Sequence, residues 1–167
     1  MRIGVFGGTF DPPHNAHVAL ARAALDEFQL DALHWIPAGQ PWQKARTITD
    51  GVHREAMVRA AIDGEPRFVL DRIELDRVGP SYTLDTVRAL RAQLADAALF
   101  LVIGADQYAG LHTWRGWQEL LGLVTLAVAN RPGLVPSAIG WMHFGANIGA
   151  AVRPDTAPSP AADDADR

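Results

Sequence analysis

The amino-acid sequence predicts a doubly wound parallel α/β sheet, on two observations. Short apolar runs alternate along the chain with segments whose apolar residues recur at helical spacing, which is the pattern of β–α units. The runs themselves are almost entirely apolar, most clearly "ALFLVIG" at 98–104, as expected of strands that helices cover on both faces. We therefore expect an open parallel sheet with helices on both sides.

The first half of the chain contains five predicted elements. In order, they are a strand at 2–6 ("RIGVF"), a helix from 14 to about 28, a strand at 33–37 ("LHWIP"), a helix from 50 to about 62 and a strand at 67–71 ("RFVLD"). Glycines end the first strand and Pro37 ends the second, because both residue types disfavour a strand interior. Asp50 is a candidate N-cap of the second helix. We expect "RIEL", which follows the third strand, to continue it after a kink.

The second half continues the same alternation. Ser81 or Thr83 is the predicted N-cap of a helix that runs through Leu94 at helical apolar spacing. The remaining predictions are a strand at 98–104, a short helix at 106–111, a helix near 116–121 and a strand at 123–129. The residues "NRPG" close this last strand, since proline and glycine favour turns.

The C-terminal part has a different composition. From Gly133 onward the chain contains no lysine and no glutamate, and it sustains neither a helical nor a strand period. The last stretch, "RPDTAPSPAADDADR", is of low complexity and typical of disorder. We therefore predict one domain over 1–133, an aperiodic segment over 134–152 and a disordered tail over 153–167.

Composition excludes several functional classes. The formal net charge of −4 disfavours a nucleic-acid binder with a broad basic surface, although a local cluster of donors can still bind a small anion. The absence of cysteine excludes disulfides, thiolate nucleophiles and cysteine-based zinc sites. No apolar run reaches transmembrane length and no signal-peptide pattern is present. We expect a cytoplasmic protein that binds neither membranes nor nucleic acid.

The loop after the first strand, "GGTFDPPHNAH", is the predicted chemical site. In open parallel sheets, ligands bind beyond the carboxyl ends of the strands, near the point where strand order reverses. Gly7 and Gly8 allow the backbone to approach a ligand, and the helix N-terminus behind them is suited to an anion. His14 and His17 lie three residues apart at that N-terminus, so they face the same side. Both imidazoles and the Thr9 hydroxyl can donate hydrogen bonds to phosphate oxygens.

Other interpretations of this loop remain open. It matches neither the GxGxxG dinucleotide pattern nor the Walker pattern, since it lacks their spacing and a Gly-Lys-Ser/Thr run. His14 and His17 could be metal ligands, but no HExxH pattern or carboxylate partner at a recognisable spacing accompanies them. They could also be ordinary polar residues at a helix N-terminus.

The loop resembles the signature of the HxxH nucleotidylyltransferase superfamily, and within it the bacterial nicotinate-nucleotide adenylyltransferases. Further stretches resemble the same family in the same order: "PSYTLDT", "FLVIGADQ", "LHTW" and "NRPG". The resemblance covers roughly residues 1–133. It implies a Rossmann-like nucleotidyltransferase fold.

The resemblance implies transfer of the adenylyl group of ATP to nicotinate mononucleotide, with Mg²⁺, giving nicotinate adenine dinucleotide and pyrophosphate in NAD biosynthesis. The acceptor is a phosphate monoester with a second pKa of about 6, so it is largely ionised at neutral pH and needs no strong base. Catalysis then requires alignment of two anions and stabilisation of developing charge. Oligomeric state cannot be predicted from the sequence.

By the same resemblance, three residues are the expected catalytic group: His17 contacts the transferring phosphate, His14 the ATP phosphates, and Lys44 supplies positive charge. The residues expected to bind ATP are Gly7, Gly8, Thr9, Phe10, His17, Gly104, Asp106 and Arg131. Lys44 lies in "QPWQK", which departs from the Pro-Pro-His-Lys-like run of the family, so a solvated surface lysine is the alternative.

The resemblance also implies a nicotinate mononucleotide site. Its expected residues are Ser81, Tyr82, Thr83, Trp114 and Arg46. The helix N-terminus at Ser81–Thr83 suits the carboxylate of nicotinate better than a neutral amide. Trp114 is expected to stack on the pyridine ring, with Trp117 as a rival that more simply packs in the core.

One family element is absent from the sequence. An Ile-Ser-Ser-Thr-x-Ile-Arg stretch followed by a helix is expected after the fifth strand, and nothing between Gly133 and Arg167 resembles it. We hypothesise that the sequence leaves the family's reading frame, or is otherwise replaced, near 133–137. Translating the encoding DNA in the other frames tests this, because the hypothesis fails if no such segment emerges.

Three alternatives to that function follow. The acceptor could instead be nicotinamide mononucleotide or phosphopantetheine. The missing segment favours a catalytically impaired, nucleotide-binding remnant. A metal hydrolase that uses His14 and His17 is the third.

Overall fold

The computed structural model describes residues 1–39, 49–130 and 139–145. Across these residues, six strands form one sheet in the order β3-β2-β1-β4-β5-β6. The strands are β1 (Arg2–Gly8), β2 (Ala32–Pro37), β3 (Phe68–Leu70), β4 (Ala98–Gly104), β5 (Thr125–Ala129) and β6 (Trp141–Gly145). Neighbours from β3 to β5 pair in parallel, whereas β6 is antiparallel to β5. The predicted doubly wound sheet is confirmed.

Helices cover both faces of this sheet. They are α1 (Asn15–Glu27), α2 (Gly51–Ile62), α3 (Thr83–Gln93), α4 (Ala105–Ala109) and α5 (Trp117–Leu123), with a 3-10 turn at Leu111–Thr113. α1 and α2 pack on one face around Phe28, Trp35 and Phe100. α3, α5 and the 3-10 turn pack on the other face around Leu90, Leu99 and Leu120. The strands are apolar on both sides because both sides are buried.

Strand order reverses between β1 and β4. From β1 the chain adds β2 and then β3 on one side, and it returns to place β4 on the other side of β1. This is the point at which parallel α/β sheets bind ligands, because the loops after the two strands separate and leave a crevice. The glycine turn, by which we mean Gly7, Gly8 and Thr9, therefore lies where the sequence predicts the site to be. Its two glycines are the last residues of β1, so the strand runs two residues beyond its predicted end.

Several predicted boundaries shift. "RIEL" does not extend the third strand: β3 ends at Leu70, and Ile73–Leu75 form a turn that is fixed by the Ile73 N–H donating to Asp71 Oδ1 at 3.0 Å. α3 is N-capped by Tyr82, so neither Ser81 nor Thr83 takes that position. Asp50 does occupy the N-cap of α2, but its side chain makes no capping hydrogen bond.

The strand β6 was not predicted. It lies within 134–152, where the sequence analysis assigned no element, and it pairs with β5 from Thr125↔Gly145 to Ala129↔Trp141. Its side chains alternate between the two faces: Trp141 packs edge-to-face on Phe28 at 5.1 Å between ring centroids, whereas Met142 joins the other core. The run is short and contains few β-branched residues, so pairing with β5 determines the strand more than local propensity does.

Within the described ranges, none of the helices combines the length and the apolar character that crossing a bilayer requires. The predicted disordered tail lies outside the described residues.

Candidate active site

A cleft with a volume of about 170 Å³ opens beyond the carboxyl ends of β1, β2 and β4. Its floor consists of strand residues such as Val5, Ile36 and Ile103. The glycine turn forms one wall and the N-terminus of α3 forms another. The cleft is therefore located at the reversal of strand order, on the face that carries α3.

Seven of the residues predicted to bind substrates line this one cleft. They are Gly7, Gly8 and Thr9 from the glycine turn, Ser81, Tyr82 and Thr83 from the start of α3, and Trp114 from the loop before α5. These three segments are far apart in sequence, and the sheet brings them together. Trp114 lines the cleft while its rival Trp117 does not, and both rings pack partly against the core.

The Ser81 hydroxyl is a buried donor in the wall of this cleft. Ser81 is 8% exposed, and its Oγ has no hydrogen-bond partner among the described residues. A buried hydroxyl without a hydrogen-bond partner lowers the stability of the folded protein. The Ser81 hydroxyl is therefore suited to bind a polar atom of a ligand that enters the cleft.

Arg115 adds positive charge to the same wall. It lines the cleft, and its guanidinium lies over the Tyr82 ring at 4.6 Å from the ring centre. No carboxylate among the described residues pairs with it. No local pattern in the sequence points to Arg115, although it directly follows the predicted Trp114. The cleft therefore presents a cation and an unpartnered hydroxyl, which together suit an anionic ligand.

Three further cleft residues were also missed, and two of them belong to a buried network. Thr86 Oγ1 donates to Glu74 Oε2 at 2.8 Å and accepts from Arg77 Nη1 at 3.1 Å. Burial raises the pKa of the Glu74 carboxyl above its ordinary value. The network connects the turn after β3 to α3.

Gln107 also lines the cleft, and its Oε1 accepts from the Gly104 N–H at 3.2 Å. No local pattern in the sequence signals these contacts.

The two predicted histidines lie at the N-terminus of α1 and are not among the residues that line the cleft. Their rings stack, with centroids 3.8 Å apart and planes tilted by 23°. His14 is exposed, whereas His17 packs edge-on against Phe10 at 5.2 Å. The sequence prediction that both histidines face the same side is consistent with this geometry.

His17 is held in one protonation state. The main-chain N–H of His14 donates to its Nδ1 at 3.0 Å, so Nδ1 carries no proton and the ring proton sits on Nε2. Burial, with a smaller contribution from the neighbouring His14, lowers the pKa of His17 to about 4. At neutral pH it is therefore an uncharged imidazole with one N–H donor, which suits hydrogen bonding to phosphate better than proton transfer.

Phe10 belongs to the core. Its ring is 3% exposed and packs against Phe6 and Trp35, so only its backbone is available to a ligand. A Cβ added at Gly8 would lie 3.1 Å from the Phe10 ring, which explains the glycine as a close approach of the ring to the strand end. The backbone of Phe10 itself has a φ of 50°, an uncommon conformation for a non-glycine residue.

The remaining predicted site residues fall into two groups. Gly104 ends β4 and N-caps α4, and Asp106 is exposed in the first turn of α4, so neither lines the cleft. Lys44, Arg46 and Arg131 lie outside the described residues. In the part of the chain that the structure describes, no three His, Asp or Glu side chains are grouped to hold a metal ion.

Comparisons with known proteins place the chain in a family. The model of the family described as cytidylyltransferase-like matches residues 5–159. A probable nicotinate-nucleotide adenylyltransferase of Methylibium petroleiphilum is 55% identical over 136 residues, which cover 81% of this chain and 64% of that protein. One of Clavibacter michiganensis is 44% identical over 143 residues, which cover 86% of this chain and 71% of that protein. The chain thus spans about two thirds of the length of the curated relatives that it matches.

Solved structures share the fold at lower identity. The nicotinic acid mononucleotide adenylyltransferase of Plasmodium falciparum, complexed with NaAD, has a TM-score of 0.65 at 18% identity, covering 76% of this chain and 63% of that one. A putative nicotinate-nucleotide adenylyltransferase of Vibrio parahaemolyticus has a TM-score of 0.65 at 19% identity, covering 76% and 72%.

Proposed function

The chain belongs to the cytidylyltransferase-like family, and on this premise we propose that it transfers the adenylyl group of ATP to nicotinate mononucleotide. The products are nicotinate adenine dinucleotide and pyrophosphate, a step of NAD biosynthesis. The observation that carries the proposal is the cleft in which the glycine turn, the start of α3 and Trp114 meet. Relatives named for this activity support it.

The arrangement of the site suits a reaction between two anions. The acceptor phosphate is already ionised near neutral pH, so the protein must align it with the α-phosphate of ATP and stabilise the charge that develops. In this proposal, His17 donates its Nε2–H to the transferring phosphate, and His14 contacts the phosphates of ATP. The backbone N–H groups of the glycine turn supply further donors, and Lys44 adds positive charge. None of these steps requires a general base.

We propose that Mg²⁺ accompanies ATP. This ion is usually held by substrate phosphates, water and one or two carboxylates, so it does not need a cluster of three protein ligands. The described residues offer no cluster of three ligands, which is compatible with an ion that is held mainly by phosphates and water. The imidazole nitrogen atoms of His14 and His17 do not suit Mg²⁺, which prefers oxygen ligands. When bound, the ion neutralises charge on the leaving pyrophosphate.

We assign a preference for nicotinate mononucleotide over nicotinamide mononucleotide to the residues of the cleft wall. The nicotinate carboxylate would meet the Ser81 hydroxyl, the N-terminus of α3 and the Arg115 guanidinium, all of which favour an anion. We expect Arg115→Gln to raise KM for nicotinate mononucleotide about tenfold, as for loss of a charge-assisted contact, and to change KM for the amide little. An equal effect on both acceptors would contradict this role.

Pyrophosphate release tests the function directly. The protein is incubated with Mg-ATP and, in turn, nicotinate mononucleotide, nicotinamide mononucleotide and phosphopantetheine. We expect release with nicotinate mononucleotide above all. Pyrophosphate release only with one of the other two acceptors would show that this acceptor, and not nicotinate mononucleotide, is the substrate.

A catalytically impaired nucleotide-binding remnant is the second candidate. It is favoured by the absence, between Gly133 and Arg167, of a stretch that resembles the Ile-Ser-Ser-Thr-x-Ile-Arg segment of the family. Mononucleotide binding without pyrophosphate release would support it.

We also propose a cytoplasmic location, since the reaction consumes ATP and the chain carries no cysteine.

A further inference from the structure

Arg54 is a buried cation behind the candidate active site. It lies in the first turns of α2 and is 1% exposed. Such burial is unusual for arginine, which is seldom fully buried without partners. Other arginines, such as Arg59 and Arg88, are instead exposed and pair with carboxylates.

The partners of Arg54 are four backbone carbonyls from three separate segments. Its Nε donates to Thr49 O at 2.7 Å, its Nη1 to Ala38 O at 2.5 Å and Thr9 O at 3.1 Å, and its Nη2 to Gly39 O at 3.4 Å. No carboxylate accepts from it among these contacts. The guanidinium therefore joins the glycine turn, the loop after β2 and the approach to α2.

Two of these carbonyls belong to residues that line the cleft, Thr9 and Ala38. The buried guanidinium thus binds the backbone of two residues that a substrate in the cleft would touch from the other side. A second contact ties the same segments, because the Thr49 N–H donates to Asp11 Oδ2 at 2.8 Å. Gly39 also approaches the Glu74 backbone so closely that an added Cβ would lie 2.3 Å from Glu74 O.

We propose that Arg54 is a positioning residue of the candidate active site, which holds the glycine turn and the two residues after β2, Ala38 and Gly39, in one fixed arrangement. The role that this arrangement serves rests on the proposed function. Arginine suits it because its planar fork reaches several acceptors at once, whereas the lysine ammonium is a compact donor on a flexible stem. A lysine in its place would leave some of the four carbonyls without a partner.

Arg91, which lies near the amino ends of the strands, provides a matched control. Its Nη1 donates to Ala97 O at 2.5 Å and its Nη2 to Leu123 O at 3.2 Å, just before β4 and β5 begin. It also joins loops through backbone carbonyls, but it lies at the amino ends of the strands, away from the cleft. Arg91→Lys therefore removes a comparable structural contact without touching the site.

The first experiment compares Arg54→Lys with Arg91→Lys in the full chain. Both variants should lower Tm. Only Arg54→Lys should lower kcat/KM for adenylyl transfer by about tenfold or more, because small misplacements of reacting groups are costly, while Arg91→Lys stays within about twofold. Equal activity losses in the two variants at similar Tm would overturn the proposal.

Hydrogen exchange separates failure of this proposal from failure of the proposed function. The Ala38 N–H, which donates to Gly8 O at 2.8 Å, should exchange faster in Arg54→Lys than in wild type or Arg91→Lys. This result does not depend on catalysis, so it decides the positioning role even if wild type transfers no adenylyl group. Unchanged exchange at Ala38 would overturn that role.

A measurement on the wild-type protein covers the case in which Arg54→Lys does not fold. The guanidinium N–H signals of Arg54 should exchange slowly in NMR spectra and should shift when ATP or inorganic pyrophosphate saturates the protein. Rapid exchange of these signals, or signals that do not move on saturation with either ligand, would contradict the proposal.

Discussion

His17 owes its chemical character to two neighbours. The N–H of His14 fixes the ring proton on Nε2, and the buried contact with Phe10 disfavours the charged ring. A neutral imidazole of fixed tautomer is a hydrogen-bond donor that needs no rearrangement when phosphate charge develops, which is the condition for efficient electrostatic stabilisation.

Removing this donor should cost turnover. We expect His17→Ala to lower kcat by about 10²–10³, the usual cost of one lost transition-state donor, and His17→Gln to retain more because its amide can place an N–H near Nε2. Steady-state pyrophosphate release measures the effect. His53→Gln, an exposed change on α2, is the control, and a loss below about threefold in His17→Ala would exclude the role.

The same histidine should make stability depend on pH. Its pKa is about 4 in the folded protein, against an ordinary value of 6.5, so between these values the unfolded chain binds a proton that the folded chain does not. The free energy of unfolding should therefore rise with pH from about 4 to 6.5 and then level off. Urea unfolding across this window, in wild type and His17→Gln, measures the slope. An identical slope in the variant would argue against this origin.

At the scale of elements, α5 begins at a glycine for two reasons. Gly116 has a φ of 65°, in the left-handed region, and a Cβ there would lie 2.3 Å from Leu84 Cδ2 on α3. The turn into α5 thus permits close packing of the two helices that cover one face. The position of Trp114, two residues earlier, depends on the same turn.

A pair of glycine substitutions tests this account. Gly116→Ala should lower the free energy of unfolding by about 1–2 kcal/mol, the cost of a left-handed alanine, with the Leu84 contact adding to it. Gly122→Ala, within α5, should raise it by about 0.5–1 kcal/mol, because a Cβ there meets no atom within 4 Å. Urea denaturation gives both values. Destabilisation by both changes would mean that α5 tolerates no added Cβ.

At the scale of the whole molecule, the sheet brings together distant segments that, under the proposed function, form one side of a phosphate site. The glycine turn and the start of α3 meet at the reversal of strand order. The Ile-Ser-Ser-Thr-x-Ile-Arg stretch that the resemblance implies for the other side has no recognisable counterpart in residues 134–167. We expect weak binding of the ATP triphosphate, since each missing charge-assisted hydrogen bond removes about 1.5–3 kcal/mol.

Replacing the C-terminal residues tests this expectation. Residues 134–167 are exchanged for the corresponding C-terminal segment of the Methylibium petroleiphilum relative, and a scrambled tail of equal length is the control. We expect the first chimaera to bind ATP at least about tenfold more tightly by calorimetry, from a single recovered contact. Equal Kd values for both chimaeras would show that the tail does not limit ATP binding.

Local patterns in the sequence predicted most elements of this fold and much of its site. Alternating apolar runs identified five strands, and the glycine turn identified the edge at which ligands would bind. Patterns failed where a partner decides the outcome. β6 forms because β5 offers it an edge, and the Phe10 side chain is drawn into the core by Phe6 and Trp35, which leaves only the backbone of Phe10 for the predicted contact with ATP.

The sequence by itself thus determined most of the elements and their order, and it predicted which loop carries phosphate chemistry, because these depend on spacing along a few neighbouring residues. Only the tertiary structure decided which distant residues meet: Arg115 over Tyr82, Glu74 with Thr86, and Arg54 with four carbonyls. Those contacts join segments up to 45 residues apart, so strand order and helix packing create them. No local pattern encodes that geometry.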